Sequence, residues 1–494
     1  MLDKRMNRRT LVTGMAAGAA SMALLAACGD EDTLPDGDDV AVEAEETDDE
    51  PVVADEGDDE EEEIEESDDA DEEMDDDDEE EEEESDDSDD IDTSDRQTIV
   101  YWGSFSGANG EAEQEVVRRF NESQDEIYVD YQFQGSYEET AQALTQALQA
   151  QQAPAVCLLS DVWWFRFYVN EMLEPLNSYY EAHDIDTSDY VDSLFEEGIR
   201  LDESYWVPFA RSTPIFYYNK EMWEEAGLPD RGPETWDEFE EWAQDLVVSD
   251  GDSLERSAFA HPGAASYIAW LFQGVIWQYE GLYSDPDFTI RINEAEGVEA
   301  ADFYRRSVEE GWATTPDDLN LEFTNRLTAS MMASTAALGS ITETAEFEVG
   351  TAFLPEKYAF GCPTGGAGLS LLAAASDEEK EAGFQFIAFA TSPEITAYWS
   401  QATGYMPVRK SAEEGMADFY EENPNFRTAV EQLAYTTPQD AARVFIPGGD
   451  QIIGRGLERI TINAEDPQEV FDDVAETLEE EAEPVIDQVE AVEG

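Results

Sequence analysis

Residues 30–95 are the part of this 494-residue chain that most limits how it can fold. They hold 43 aspartates and glutamates, no lysine or arginine, and no aromatic side chain. Such a segment cannot bury enough apolar surface to offset the entropy lost on ordering, and its like charges repel one another. We therefore expect residues 29–95 to be a disordered, extended linker, with the folded body on its carboxyl-terminal side.

The folded body is itself acidic. Residues 96–494 carry 77 aspartates and glutamates against 21 lysines and arginines, of which only four are lysine. Molar salt shortens the Debye length to about 3 Å, so repulsion across such a surface is screened there and not in dilute buffer. The composition predicts a halophile's protein; an acidic protein from an ordinary organism is the alternative. Nucleic-acid binding is disfavoured because it needs clustered basic side chains.

Residues 1–28 have the features of an export signal. Arg8 and Arg9 precede an apolar stretch at 11–27, and a twin arginine is typical of the Tat route. The stretch ends in a Leu-Ala-Ala-Cys run that resembles a lipobox. We predict that a lipid on Cys28 anchors the protein to the outer face of the cytoplasmic membrane. A transmembrane helix is the alternative, but the segment is short and rich in alanine and glycine.

Two further cysteines, Cys157 and Cys362, lie far apart in the sequence. Outside the cell they could form a disulfide, or they could remain buried, free thiols. We favour the free thiols.

Strand and helix patterns alternate along the body, which predicts an α/β fold. The apolar run at 155–159 is typical of a buried parallel strand. Other strand patterns lie at 97–102, 126–133, 205–209, 215–219 and 366–373. Helix patterns lie at 111–121, 138–152, 188–197, 236–247, 265–277, 297–310, 321–333 and 378–390, and the chain after 411 is mainly helical. The length favours two lobes over one core.

Four motifs, in order, give the body a likeness to a known family. APAV (153–156), VPF (207–209), FYYNK (216–220) and PETWDEF (233–239) resemble the family 1 extracellular solute-binding proteins, which include maltose-binding protein. The resemblance implies a two-lobe fold of the maltose-binding-protein type, with the ligand cleft between lobes that close by hinge motion. We assign 96–207 and 360–410 to lobe 1, 208–359 to lobe 2, and 411–494 to helices packing mainly on lobe 2.

Within this family the glycerol-3-phosphate-binding proteins are the most similar subgroup. The likeness rests on YWGS (101–104), GSYEE (135–139), STP (212–214), GGAG (365–368), GYMP (404–407) and RTA (427–429). Gly103 stands where the family usually has histidine. The resemblance implies a set of ligand-binding residues, namely Trp102, Tyr137, Glu138, Ser212, Trp270, Ser334, Gly365, Gly366, Tyr405 and Arg443.

The chemistry of these residues suits a sugar or polyol phosphate. Aromatic rings pack on carbon faces, while carboxylates and a guanidinium bond hydroxyl or phosphate oxygens. Each residue also has a plainer interpretation. A tryptophan can be core, as we expect for Trp236, Trp242 and Trp312, and Arg443 can form a surface ion pair. Glu138 can be a solvated carboxylate at a helix start. Ser334 can bond its own backbone, and the GGAG run can serve a turn.

Catalysis has little support in the sequence. His183 and His261 are the only histidines, and neither lies near a nucleophile motif or a metal-ligand spacing. We predict no enzyme activity, no cofactor and no specific metal site, although Ca²⁺ or Na⁺ could bind acidic loops.

The predicted function is capture of glycerol-3-phosphate, or a related glycerol phosphodiester or sugar, by a monomeric receptor. The receptor would serve the permease and ATPase subunits of an ABC importer. A receptor for a neutral oligosaccharide is the alternative. A surface carbohydrate-active enzyme and an adhesion protein held on the linker are further alternatives.

Overall fold

The structure is a computed structural model that describes residues 93–251, 253–263 and 267–494. The predicted export signal, Cys28 and nearly all of the acidic linker lie outside these residues. Across the described ranges, no helix combines the length and apolar character needed to span a membrane.

The described residues form fourteen strands, most of which belong to two five-stranded sheets. In chain order the strands are β1 (Gln97–Gly103), β2 (Ile127–Phe133), β3 (Val156–Ser160), β4 (Ile199–Arg200), β5 (Glu203–Ser204), β6 (Val207–Ser212), β7 (Pro214–Asn219), β8 (Val248–Asp250), β9 (Ser253–Arg256), β10 (Phe259–Ala260), β11 (Ala313–Thr314), β12 (Ser330–Ser334), β13 (Val349–Ala352) and β14 (Gly365–Leu371).

Each large sheet organises one lobe. The first sheet has the order β2-β1-β3-β14-β6, and the second has the order β11-β10-β12-β7-β13. β1 is parallel to β2 and β3, whereas β14 runs antiparallel to both β3 and β6. In the second sheet β7 runs antiparallel to β12 and β13. The predicted α/β, two-lobe fold is confirmed.

Helices cover these sheets. They are α1 (Gly107–Ser123), α2 (Tyr137–Ala150), α3 (Trp164–Val169), α4 (Asn177–Ala182), α5 (Asp192–Phe195), α6 (Lys220–Glu225), α7 (Trp236–Leu246), α8 (Ile268–Gln278), α9 (Ala295–Glu309), α10 (Leu319–Thr324), α11 (Leu338–Thr344), α12 (Asp377–Ala390), α13 (Pro393–Thr403), α14 (Lys410–Gly415), α15 (Ala417–Glu422), α16 (Pro424–Leu433), α17 (Ala441–Val444), α18 (Gly449–Thr461) and α19 (Pro467–Glu493). Capping boxes begin α2, at Ser136 and Glu139, and α12, at Ser376 and Glu379.

The chain crosses between the sheets twice. Only Thr213 separates β6 of the first sheet from β7 of the second, and the chain returns between β13 and β14. Because β6 pairs with β14, Val207–Ser212 belongs to the first sheet. The first crossing therefore follows Ser212, whereas our domain division ended lobe 1 at residue 207.

Two of the predicted helices differ from the structure. The pattern at 321–333 predicted one helix, but α10 ends at Thr324 and Ser330–Ser334 is a strand that pairs with β7. The pattern at 188–197 predicted another helix. It is broken into the 3-10 turns Thr187–Asp189 and Glu196–Gly198 around the short α5. In both places packing against a sheet overrides a short periodic pattern.

The apolar cores follow the lobes. One cluster centres on the second sheet and takes in Phe216, Trp236 and Leu457, while another in the first lobe holds Trp164 and Trp206. A third joins residues of both sheets, such as Val156 and Tyr217. Cys157 and Cys362 are buried and free, as predicted.

Candidate ligand cleft

A cavity of about 460 Å³ lies between the two lobes. First-lobe residues such as Asp161 and Glu197 line one side, and Leu282 and Ser284 of the second lobe line another. The segment at 437–441, between α16 and α17, completes the lining. This position matches the expected cleft, at the junction of two α/β lobes, where polar and aromatic groups of several elements converge.

An aromatic wall on the first lobe contains two of the predicted residues. Tyr137 is the first residue of α2, and its hydroxyl lies 3.4 Å from that of Tyr405. Both rings pack against Phe105, at centroid distances of 5.8 Å and 5.6 Å. Tyr405 also stacks on Trp399. Burial raises the pKa of Tyr405 to about 12, so its hydroxyl keeps its proton and can donate a hydrogen bond.

Trp270 reaches from α8 of the second lobe to the start of β14. Its indole Nε1 donates to the carbonyl oxygen of Thr364 over 2.9 Å. Gly365 follows, and a Cβ at this position would lie 2.6 Å from the indole ring. Gly365 also pairs with Ser212 across the sheet. The structure thus brings together Trp270, Gly365 and Ser212 at the crossing between the lobes.

Gly366 is the next residue of β14 and has a backbone φ of +101°. A side chain there would meet the carbonyl oxygen of Ala210 at 2.1 Å, so both conformation and space require glycine. Its own carbonyl oxygen accepts from the backbone N–H of Asp161 over 2.9 Å. This bond brings the carboxyl end of β3 to the GGAG segment.

Arg443 lies buried in α17, where acids surround it. Its Nε donates to Asp450 Oδ1 over 2.6 Å, and its Nη1 lies 3.6 Å from Asp161 Oδ2. Nη1 also donates to Gln439 Oε1, and Gln439 in turn donates to Asp161. The surface ion pair considered for Arg443 is therefore excluded by its 6% exposure, and the guanidinium belongs to a buried network beside the cavity.

Three further predicted residues have hydrogen-bond partners on their own or a neighbouring element. Trp102 is half-buried and donates to Gln132 on the neighbouring strand over 3.1 Å. Glu138 is exposed and accepts from Gln142 of the same helix over 3.0 Å. Ser334 ends β12, and its hydroxyl accepts from the backbone N–H of Ala336. None of the ten predicted residues is among those that line the cavity, so contact of each of them with a ligand stays a prediction.

Two of the tryptophans expected in the core are there. Trp236 and Trp312 are buried within the second lobe, at 1% and 2% exposure. Trp242 is half-buried against the same cluster, with the Arg231 guanidinium 5.0 Å from its ring.

Three acidic residues that line the cavity were not predicted from the sequence, namely Asp161, Glu197 and Asp440, and neither was Arg211, the ion-pair partner of Glu197. Asp161 directly follows the buried strand β3, and the carboxyl end of a strand in an α/β sheet is where ligand groups collect. That rule could have found it. Glu197 and Arg211 lie 14 residues apart and meet only in the fold, as a 2.6 Å ion pair.

Burial governs the electrostatics of the cleft. Desolvation raises the pKa of Glu197, although the Arg211 guanidinium opposes the shift. Desolvation likewise raises the pKa of Asp440, against bonds from Tyr283, Gln273 and Trp277. Each carboxyl is thus held by donors while water is excluded, which suits recognition of a polar ligand.

The two histidines do not form a catalytic set. His261 is buried, its pKa is lowered to about 3 by desolvation, and its Nε2 lies 2.8 Å from the Ser307 hydroxyl. His183 lies 2.7 Å from Glu381. Within the described ranges no group of three or more histidine, cysteine or acidic side chains is arranged to hold a metal ion.

Two lobes, two crossings and an interlobe cavity define the class of two-lobed solute-binding folds, and comparisons with known proteins agree. The model for bacterial extracellular solute-binding proteins matches residues 115–428. Of solved structures, UgpB from Mycobacterium tuberculosis in complex with glycerophosphocholine is 41% identical, with a TM-score of 0.75 over 79% of this chain and 99% of that one.

Other relatives fit the same picture. The sn-glycerol-3-phosphate-binding periplasmic protein UgpB of Escherichia coli K12 is 25% identical over 423 residues, which cover 77% of this chain and 91% of the relative. The cyclic α-maltosyl-1,6-maltose-binding protein of Arthrobacter globiformis shares the fold, with a TM-score of 0.66 at 22% identity over 79% of this chain and 99% of that one. This chain belongs to the bacterial extracellular solute-binding protein family. It is a binding protein and not an enzyme.

Proposed function

We propose that this protein captures glycerol-3-phosphate or a related glycerol phosphodiester outside the cell and delivers it to the permease and ATPase of an ABC importer. The observation that carries the proposal is the buried Arg443 network beside an interlobe cavity, together with the Trp270 contact between the lobes and the Tyr137–Tyr405 pair of the first lobe. A guanidinium and tyrosine hydroxyls suit phosphate and glycerol oxygens, and the indole suits a carbon face. Both UgpB relatives carry names or ligands of this chemical class.

The charge of the cavity favours a diester with a positive head group. Asp161, Glu197 and Asp440 line it, and the Trp164 ring lies among them. Carboxylates and an aromatic face attract a quaternary ammonium such as that of glycerophosphocholine, the ligand in the M. tuberculosis structure. The phosphate of the same molecule would meet the guanidinium groups.

Calorimetry in molar KCl tests the proposal with glycerol-3-phosphate, glycerophosphocholine and maltotriose. We expect saturable heat from the two phosphates and none from the sugar. Ligand at 100 times its Kd should also add about 2.7 kcal/mol to the free energy of unfolding. Saturation with maltotriose alone would favour the neutral-oligosaccharide receptor, and no heat from any of the three would contradict both.

Arg443→Ala separates the two ligand classes. Loss of the guanidinium should weaken an anionic ligand far more than a neutral sugar, because only the anion gains from the charge. Equal loss for both would remove the phosphate assignment. Arg427→Ala is the matched control, since Arg427 is exposed and pairs with Glu431 on its own helix.

The anchoring proposal rests on the lipobox-like run at Cys28 and on export through a Tat-like route. Cys28→Ser should release the protein from the membrane fraction into the medium, because the thiol that would carry the lipid is gone. Retention of the variant in the membrane fraction would count against a lipid at this position.

A further inference from the structure

Arg211, the residue before the end of β6, carries hydrogen-bond donors that the protein leaves unused. Its guanidinium is fully buried, and Nη2 donates to Glu197 Oε2 over 2.6 Å. The group lies over the Trp206 ring, 4.6 Å from the centroid. Nε and Nη1 are also buried, and neither has a hydrogen-bond partner within the described part of the chain. A buried cation with orphan donors loses its hydration without replacement, which is a cost that a ligand acceptor would remove.

The position of Arg211 points to the cleft. Its ion-pair partner Glu197 lines the cavity, and Trp206 stacks on Trp164, another lining residue, at 5.9 Å. The carbonyl oxygen of Arg211 accepts from the backbone N–H of Met406 over 2.6 Å, next to Tyr405 of the aromatic wall. Across the sheet it pairs with Gly366. Arg211 therefore lies behind the first-lobe wall, among residues already placed at the site.

Arg443 and Arg211 differ in how much of each guanidinium is occupied. Nε and Nη1 of Arg443 both bond to protein groups, Asp450 and Gln439, and Asp161 lies close by. On Arg211 the same two nitrogens have no hydrogen-bond partner among the described residues. The Nε–H and Nη1–H groups of Arg211 lie on different edges of the guanidinium, so each can donate separately to an oxygen of an anionic ligand.

Arg211 is also linked to the second lobe. Glu197 Oε1 accepts from the Thr364 hydroxyl, and the Thr364 carbonyl oxygen accepts from Trp270 Nε1. The chain of bonds runs from β6 through the second crossing to α8. A ligand group bound by Arg211 would thus contact a network that both lobes share.

We infer that Arg211 is a second ligand-binding arginine, which donates Nε–H and Nη1–H to anionic oxygens of the bound glycerol phosphate or phosphodiester. The inference rests on the proposed function. It adds to that function a specificity for anions on the first lobe, separate from Arg443.

The test compares wild type with Arg211→Lys, which keeps the charge beside Glu197 and loses the free Nε and Nη1 donors. Titrated with glycerol-3-phosphate and with glycerophosphocholine in molar KCl, the variant should bind about 10- to 100-fold more weakly. Arg427→Lys, at an exposed arginine, should bind like wild type. In parallel, ligand should shift the ¹⁵N resonance of Arg211 Nε, which is identified by its absence from the spectrum of the variant. If Arg211 had a purely structural role, adding ligand would not move this resonance.

A second variant provides the test if Arg211→Lys does not fold. Arg211→Met with Glu197→Gln removes both charges, so no buried carboxylate is left unpaired. It should show the same loss of affinity. If both variants fail to fold, the Nε resonance is assigned in wild type through the backbone amide of Arg211, and its response to ligand decides.

The outcomes separate the two proposals. If wild type binds and the variants bind within about threefold, or if the Nε resonance does not move on saturation, Arg211 has no ligand contact and the proposed function stands. If wild type binds neither phosphate compound, the proposed function fails and the inference fails with it.

Discussion

At the scale of a single residue, Gly365 sets how closely the Trp270 indole approaches β14. A Cβ at this position would lie 2.6 Å from three atoms of the ring, a distance that forces the indole to move. Moving it would break the 2.9 Å bond to Thr364, which joins the second lobe to the crossing segment. The close approach of the Trp270 indole therefore explains why residue 365 is glycine.

Gly365→Ala should weaken binding of glycerol-3-phosphate by about tenfold or more, because it displaces a cleft wall and removes an interlobe hydrogen bond. It should also cost roughly 1–3 kcal/mol of stability through overpacking. Calorimetry and chemical unfolding measure the two effects. Gly415→Ala in α14 is the control, since apart from the chain neighbours and the helix's own backbone no atom of the described residues lies within 4 Å of its Cβ position. Similar behaviour of the two variants would contradict this account of Gly365.

Glu113 is a buried carboxyl beneath the aromatic wall. It accepts from the Tyr101 hydroxyl over 2.5 Å and from the Tyr131 hydroxyl over 2.8 Å. A Cβ on Gly103 would lie 2.5 Å from its Oε2, which explains why glycine replaces the family's usual histidine here. Desolvation raises the pKa of Glu113 to about 7, against the bonds from the two tyrosines.

This shift makes stability depend on pH. Between about pH 4.5 and 7 the folded protein holds a proton that the unfolded chain has released, so stability falls as pH rises. The full effect is about 3 kcal/mol. Glu113→Gln removes it, and the variant should gain that much on wild type between pH 4.5 and pH 8 in denaturant unfolding. Exposed Glu138→Gln should follow wild type, and parallel pH profiles for Glu113→Gln and wild type would refute the assignment.

At the scale of single residues, the sequence identifies residues that stand in recognisable motifs better than residues that meet only through the tertiary fold. Trp270, Tyr405 and Arg443 stand in motifs or segments whose order resembles the family, and of the three only Arg443 lies beside a residue that lines the cavity, Asp161. Arg211 stands in an apolar strand, and Glu197 in a segment whose periodicity predicted a helix. Their contact is set by how β6 lies against a 3-10 turn, which no local pattern specifies.

At the scale of elements, most strand and helix cores follow from periodicity, while the edges and short elements do not. α1 begins at Gly107, four residues before the predicted start, and β12 replaces part of a predicted helix. Ser330–Ser334 has small and sulfur-containing side chains that suit helix or strand equally. Pairing with β7 and β10 decides the outcome, and that pairing spans more than 70 residues.

Helix α19 connects the two lobes. Phe471 near its start is fully buried in the second-lobe cluster, and Val485 packs with the first-lobe cluster of Trp164 and Trp206. At its end Glu493 accepts from Arg200 Nε over 2.7 Å and from the Tyr168 hydroxyl over 3.2 Å. The helix is amphipathic, and burial of its apolar face supplies most of the free energy that holds it against the two lobes.

Phe471→Ala should therefore lower the free energy of unfolding by about 3–5 kcal/mol, the usual cost of emptying a buried phenylalanine site. Denaturant unfolding in molar KCl measures it. Phe133→Ala is the control, because Phe133 is 51% exposed and its loss leaves no cavity. A cost for Phe471→Ala as small as the control's would mean that α19 adds little to the second-lobe core.

At the scale of the whole molecule, the two-lobe organisation was predictable because the order of strands and helices and the chain length are enough to infer it. The motifs at the crossings indicate where the chain passes from one sheet to the other. The division at residue 207 missed the true crossing after Ser212, since β6 pairs with a strand more than 150 residues further on. The cavity was predictable in place but not in lining. Its acids come from a strand end, a 3-10 turn and a late loop, which only the tertiary fold brings together.

Charge is the remaining whole-molecule property, and it governs when this fold is stable. The body's 77 acids face 21 bases, so even complete ion pairing leaves most carboxylates without a basic partner. Exposed pairs contribute little individually, and the unpaired excess repels itself unless salt screens it. The thermal unfolding midpoint should rise by on the order of 10 °C between 0.1 M and 3 M KCl.

A matched variant separates screening from general salt effects on hydrophobic burial. Glu479, Glu480 and Glu483 are exposed along α19, and changing all three to glutamine lowers the negative charge without touching the core. The variant should be more stable than wild type in 0.1 M KCl and gain less from added salt, because less repulsion remains to be screened. If salt dependence is identical in both proteins, or the wild-type midpoint does not rise with KCl, self-repulsion is not what limits the fold in dilute buffer.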